Sequence, residues 1–175
     1  LPDLAIGETV TYTLTIGFPQ GTTTTAVLVD SLPAGLEAIG ASVDALGNTG
    51  IGTSLPGTPV LSNSGVGYND TVTFDFGTIA NPANGVLTDD WIRVLVTARV
   101  RDLPANVDAL LLTNHATFSN GTTPDVDDQA DVELVEPALA LVKTMTPGAG
   151  PGTALITLTI TNNGTGPAYD VLLQD

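Results

Sequence analysis

Six carboxylates crowd into the twelve residues from Asp125 to Glu136: Asp125, Asp127, Asp128, Asp131, Glu133 and Glu136. Like charges so close raise one another's cost of ionisation, and a divalent cation relieves that cost. Calcium takes about six to eight oxygen ligands in flexible geometry, so Asp125, Asp127, Asp128 and Asp131 form a candidate calcium site. The spacing matches a helix-loop-helix calcium loop at Asp125, Asp127 and Glu136, but places Ala130 where that loop needs glycine. The competing reading is a solvated acidic turn and strand face.

Catalytic chemistry has little to build on. His115 is the only histidine and cysteine is absent, which excludes histidine-pair metal sites, thiolate sites and cysteine nucleophiles together. A serine elbow, a phosphate-cradling glycine loop and a dinucleotide fingerprint are all missing. The adjacent Asp89 and Asp90 would point to opposite faces of a strand, unsuited to paired acid–base work on one bond. The sequence therefore reads as non-enzymatic, with no cofactor beyond calcium. Trp91 and three tyrosines form no stacking platform, and Asn69, Asn120 and Asn163, each in an Asn-x-Thr triplet, read as turns rather than glycan acceptors.

The charge balance excludes further classes. Nineteen acidic residues face Arg93, Arg99, Arg101 and Lys143, for a formal net charge of -15. Such a surface repels phosphate backbones and anionic lipid, which argues against nucleic-acid binding and direct membrane docking. No apolar run of roughly 18 residues is long enough for a spanning helix. The chain opens at Leu1 with no leader, so it reads as a mature or excised piece, and the absence of cysteine suits an extracellular or cell-surface location.

The elements that must position these residues are strands. Val10 to Ile16 alternates without error, setting Val10, Tyr12, Leu14 and Ile16 on one face and three threonines on the other. The same alternation returns at Val72, Phe74 and Phe76, at Ile92, Val94, Val96, Ala98 and Val100, and at Ile156, Leu158 and Ile160. Asn84-Gly85, Asn120-Gly121 and Asn163-Gly164 are turn signals between them. No window carries a helical stripe. The class is all-β, an immunoglobulin-like two-sheet β-sandwich. Its expected core holds Tyr12, Leu14, Ile16, Phe74, Phe76, Trp91, Val94 and Val96. Residues 37 to 68 read as long loops with one or two short edge strands, and Thr22 to Thr25 as a turn.

The chain also repeats itself. Thr11 to Ile16 reads T-Y-T-L-T-I and Leu155 to Ile160 reads L-I-T-L-T-I, a separation of 144 residues. Ala26 to Asp30 corresponds to Val171 to Asp175 at a separation of 145. Self-similarity at that period marks whole domains in tandem. We expect a complete sandwich over residues 1–136 and the first strands of a second copy over 137–175, with the junction at Glu133 to Pro137. About 39 residues are too few to close a core of their own, so the second copy's strands need a partner.

The motifs V-T-Y-T-L-T-I, V-D-S-L-P-A-G-L from Val29 to Leu36 and L-T-N-H-A-T from Leu112 to Thr117 resemble the bacterial conserved-repeat surface domains of cell-wall, sheath and adhesin-like proteins. The second copy's V-E-P-A-L-A-L-V-K-T and T-I-T-N-N-G-T-G-P-A-Y-D-V are similar to that family's repeat opening. The resemblance implies an immunoglobulin-like sandwich acting as a spacer. Related fimbrial domains can carry an amide bond between a first-strand lysine and a last-strand asparagine, assisted by an acidic residue. Asn114 fits the acceptor by position, whereas residues 1–136 contain no lysine and Lys143 belongs to the second copy.

Two functions follow as expectations. The first is a structural stalk, spacer or fibre segment whose partners are neighbouring repeat domains, including strand exchange with identical chains. The second is an adhesion module that binds glycan, ice or a surface protein through the residue 37–68 loops.

Overall fold

A computed structural model describes residues 1–44, 51, 58–86, 88, 90–122, 124–169 and 171–174. Among these described residues the regular structure is entirely β, and no helix is long and apolar enough to cross a membrane. One sheet has six strands in the order β1-β9-β8-β3-β6-β5: β1 (Asp3–Leu4), β9 (Val126–Leu134), β8 (Leu111–Ser119), β3 (Gly21–Ser31), β6 (Thr71–Asn81) and β5 (Val60–Ser62). The other has three in the order β2-β7-β4: β2 (Thr9–Gly17), β7 (Trp91–Val100) and β4 (Leu36–Val43). The strands β10 (Leu139–Pro147) and β11 (Ala154–Asn162) form a separate two-stranded sheet.

The two larger sheets close on one apolar core, the immunoglobulin-like sandwich expected from alternation. Leu28, Val72, Phe74, Phe76, Leu112 and Val132 enter from the six-stranded sheet, and Tyr12, Ile16, Leu36, Ile92, Val94 and Val96 from the three-stranded one. Phe18 stands edge-on to Phe76 and Phe118, with ring centroids 6.4 and 5.5 Å away. The β2–β7 ladder sets Tyr12 opposite Val96, Leu14 opposite Val94 and Ile16 opposite Ile92, so one buried face runs along both strands.

Several expectations need correction. Trp91 is not in the core: Ile92, Val94 and Val96 take the inward positions, which leaves Trp91 on the outer face under Arg93, 5.7 Å from its ring. Leu14 is only half-buried, for a reason that lies in the sheet edge described below. Residues 36–43 are a full strand paired along β7 rather than a loop, and Val60–Ser62 is a short edge strand as expected. Residues 45–50 and 52–57 lie outside the described residues. Thr22 to Thr25 belong to β3, where the register shifts between Thr23 and Val27 and Thr25 adopts φ 51° at a bulge. Of the second copy's expected second strand, Val171–Gln174 has no regular structure, and Asp175 lies outside the described residues.

Gly35, in the β3–β4 turn, has φ +110°, and a Cβ there would meet Asn106 Oδ1 at 2.3 Å. Asn106 uses that proximity, donating from Nδ2 to the carbonyls of Gly35 and Arg101 at 3.1 and 2.8 Å. The turn needs glycine for both conformation and space.

Candidate functional site

The sandwich is open along one side. β2 pairs with β7 on one edge and with no other strand among the described residues. β9 pairs with β8 on one edge and, among the described residues, meets β1 on the other only at Glu133 and Leu134. Between these two uncovered edges runs a groove of about 820 Å³, lined by Tyr12, Leu14, Ile16, Leu28, Ala116 and Phe118 among others. Its position explains two departures from a closed core. Leu14 packs against the core yet stays half-buried, and Val126, at the start of β9, is 66% exposed.

Polar residues lie among this apolar lining. On β3, the inward alternation Ala26, Leu28, Asp30 carries a carboxylate into the core, and Asp30 is fully buried. On β8, Leu112 and Asn114 point the same way, and Asn114 Nδ2 donates to Asp30 Oδ1 at 2.8 Å. Burial pushes the Asp30 carboxyl from 3.8 up to about 6, while the Asn114 hydrogen bond opposes the rise. Burial likewise pushes the Tyr12 hydroxyl up to about 12, with the charges of Asp30 and Asp131 adding to it. The sequence reading placed Asn114 by position but missed Asp30. The signal was available, because Asp30 ends a strand whose other inward residues are Ala26 and Leu28.

A second polar cluster holds the start of the β10–β11 hairpin. The Asp108 carboxylate accepts from the Glu136 amide at 2.8 Å and from the Thr165 amide at 3.1 Å, and the Thr165 hydroxyl also donates to it. Those donors, the Glu136 amide foremost, hold the Asp108 carboxyl below the usual carboxylate range. Glu136 Oε1 in turn accepts from the Ile6 amide at 2.7 Å. The backbones approach so closely that a Cβ on Gly164 would lie 2.0 Å from the Glu136 carbonyl oxygen. Residues from the sandwich, the linking segment and the turn after β11 thus share one hydrogen-bonded joint. The sequence marked this junction through Glu133 to Pro137 but not the part played by Asp108.

The acidic run is spread along a strand rather than gathered. Asp127, Asp128 and Asp131 lie on β9 and Asp125 just before it, so alternation sets Asp128 on the face opposite Asp127 and Asp131. Among the described residues no three His, Cys, Asp or Glu side chains converge in a way that would hold a metal ion. His115 is exposed on β8, paired in register with Gln129. Asp90 is buried, while Asp89 lies outside the described residues.

No family model matches the chain, and no curated protein matches it. Among solved structures it is similar to the T6 backbone pilin of Streptococcus pyogenes, at 13% identity and a TM-score of 0.47, over 79% of this chain and 33% of that one. It is also similar to the full-length major pilin SpaD of Corynebacterium diphtheriae, at 19% identity and a TM-score of 0.40, over 86% of this chain and 37% of that one. A third is the collagen-binding domain of a Staphylococcus aureus adhesin, at 10% identity and a TM-score of 0.40, over 71% of this chain and 87% of that one. The chain spans about a third of the length of the two pilins.

Proposed function

We propose that this chain is a structural module of an extracellular fibre or stalk, in which the open side of one sandwich receives a β-strand from a neighbouring module. The observation that carries this reading is the groove between β2 and β9, where two uncovered strand edges flank an apolar floor. An added strand gains main-chain hydrogen bonds from such edges and covers the apolar lining beneath. The β10–β11 hairpin is the natural donor, since Leu139, Leu141, Met145, Leu155 and Ile156 are all substantially exposed on it. Donor and acceptor surfaces differ, so the association is head-to-tail and builds a filament unless it closes into a ring. The Asp108–Glu136–Thr165 joint suits a structural module, because its hydrogen bonds tie the start of the hairpin to the sandwich.

Light scattering on the full chain and on a deletion of residues 137–175 tests the proposal. The full chain is expected to show concentration-dependent mass above the monomer, and the deleted chain to remain monomeric. Polymers that persist after the deletion would exclude the hairpin as donor. A full chain that stays monomeric while binding glycan or a surface protein would favour the adhesion module instead.

A further inference from the structure

Every arginine of the chain stands on one surface. Alternation along β7 turns Trp91, Arg93, Leu95, Thr97 and Arg99 outward, and Arg101 follows just past the strand. β2 adds an outward row of threonines, and Glu37 on β4 and Asp44 just beyond it supply the ion-pair partners. Three guanidinium groups thus meet two carboxylates on the outer face of the β2–β7–β4 sheet, a local excess of positive charge in a chain whose formal net charge is -15.

The arginines form two stations. At one, Arg93 donates to Asp44 and lies over the Trp91 ring, 5.7 Å from its centroid. At the other, Arg99 Nη2 and Arg101 Nη1 donate to the same Glu37 oxygen, Oε2, at 2.8 and 3.1 Å, and Arg101 lies over the Tyr68 ring at 4.8 Å. The Arg99 and Arg101 guanidinium groups make no other hydrogen bond among the described residues, so most of their N–H donors stay available for an incoming anion. An exposed ion pair holds its partners weakly, and one carboxylate leaves the charge of the fork half compensated. Stacking on Trp91 and Tyr68 restrains the guanidinium planes, which lowers the ordering cost of binding.

The floor between the stations is low. Six residues of extended strand separate Arg93 from Arg99, about 20 Å at the rise of a strand. Across it the register sets Thr11 and Gly40 beside Thr97, and Thr13 and Ser42 beside Leu95. The Thr11 and Thr97 hydroxyls lie 3.2 Å apart. β7 is the central strand and its main-chain groups pair with β2 and β4, so this face offers a peptide no ladder to join. A polymer of hydroxyl-bearing rings suits it better, with hydroxyls on the threonine row and ring C–H groups on Leu95. The charged group such a polymer must carry is indicated by Glu37, because the fork already holds a carboxylate oxygen.

We propose that the outer face of the β2–β7–β4 sheet binds an acidic polysaccharide, a carboxylate-bearing chain laid along β7 from Arg93 to the Arg99–Arg101 fork. The site is separate from the strand-accepting groove, which uses the free edge and inner face of β2, and it stays open when that groove is filled. The overall negative charge confines such a polymer to this face.

A labelled oligogalacturonide long enough to span both stations, titrated against the full chain by fluorescence anisotropy, tests the inference. Its fully methyl-esterified form, which keeps the backbone and loses the charge, is expected to bind at least about tenfold more weakly. The double variant Arg99→Gln/Arg101→Gln, shown by its melt to be folded, should lose about tenfold or more, whereas Lys143→Gln, which makes half that charge change on the separate hairpin, should leave affinity unchanged. Glu37→Gln should tighten binding, since it removes the carboxylate that competes for the fork. Absence of binding, equal binding of the esterified oligomer, or an equal loss with Lys143→Gln overturns the site. Oligoglutamate binding as well as the oligogalacturonide overturns the assignment to a polysaccharide. None of these outcomes bears on strand addition, which is read from assembly mass.

Discussion

The Asp30 carboxyl turns the unfilled groove into a measurable pH dependence. Its ordinary value is 3.8 and burial pushes it to about 6, so the folded state holds a proton that the unfolded chain releases. A group of this kind contributes stability that is fully present below the unfolded value and lost as pH rises through the folded one. The window therefore runs from about pH 4 to about pH 6 to 7. At about 1.4 kcal/mol per tenfold change, the gap between the two values corresponds to a loss on the order of 3 kcal/mol. Asp70, Glu37 and Asp108 are held below the usual carboxylate range and act in the opposite direction at lower pH, so the wild-type curve alone does not isolate Asp30. Asp30→Asn does isolate it, because the shape is kept and the titration removed.

Urea unfolding of both chains at several pH values between about 4 and 7 gives the comparison. Relative to the wild type, the Asp30→Asn chain should gain stability by on the order of 3 kcal/mol across that interval. Parallel curves for the two chains would refute the reasoning, by showing that Asp30 is solvated or already compensated in the folded state.

Three further outcomes are expected. Phe74→Ala removes a fully buried ring and should cost about 3–5 kcal/mol, whereas Leu14→Ala, on the groove, should cost less than the roughly 2–5 kcal/mol of a fully buried leucine; equal losses in urea unfolding would place Leu14 in the closed core. Gly35→Ala strains a φ of +110° and drives a Cβ against Asn106, so unfolding should show a loss of about 1–3 kcal/mol, and an unchanged midpoint would show that the turn relaxes freely. Thermal melts in millimolar calcium and in chelator test Asp125, Asp127, Asp128 and Asp131. Because strand alternation divides them between two faces, coincident melting temperatures are expected, and a rise with calcium would establish binding to the folded state.

Alternation made most of the sandwich legible. Tyr12, Ile16, Phe74, Phe76, Val94 and Val96 are inside because period-two patterning over a half-buried strand admits one solution. The same rule, applied strictly to Ile92, Val94 and Val96, excludes Trp91, which the register sets on the opposite face. Leu36–Val43 was hidden because Gly40 and Ser42 dilute its pattern, while its pairing with β7 comes from distant sequence. The groove was not legible at all. An uncovered edge is a property of which strands pair, and no local pattern states that, among the described residues, β2 pairs along one edge alone and β9 meets β1 at just two positions. Asp30 was legible but overlooked, since a polar residue at an inward position reads as a strand end until Asn114 is brought beside it.

The most direct test of the account is amide hydrogen exchange along β2 in the assembled and dispersed states of the full chain. The account predicts that β2 amides directed away from β7 exchange freely when the chain is dispersed and become protected on assembly, while the outer edge of β4 keeps its rate. Assembly that leaves β2 exchanging as in the dispersed chain would contradict strand addition at this groove.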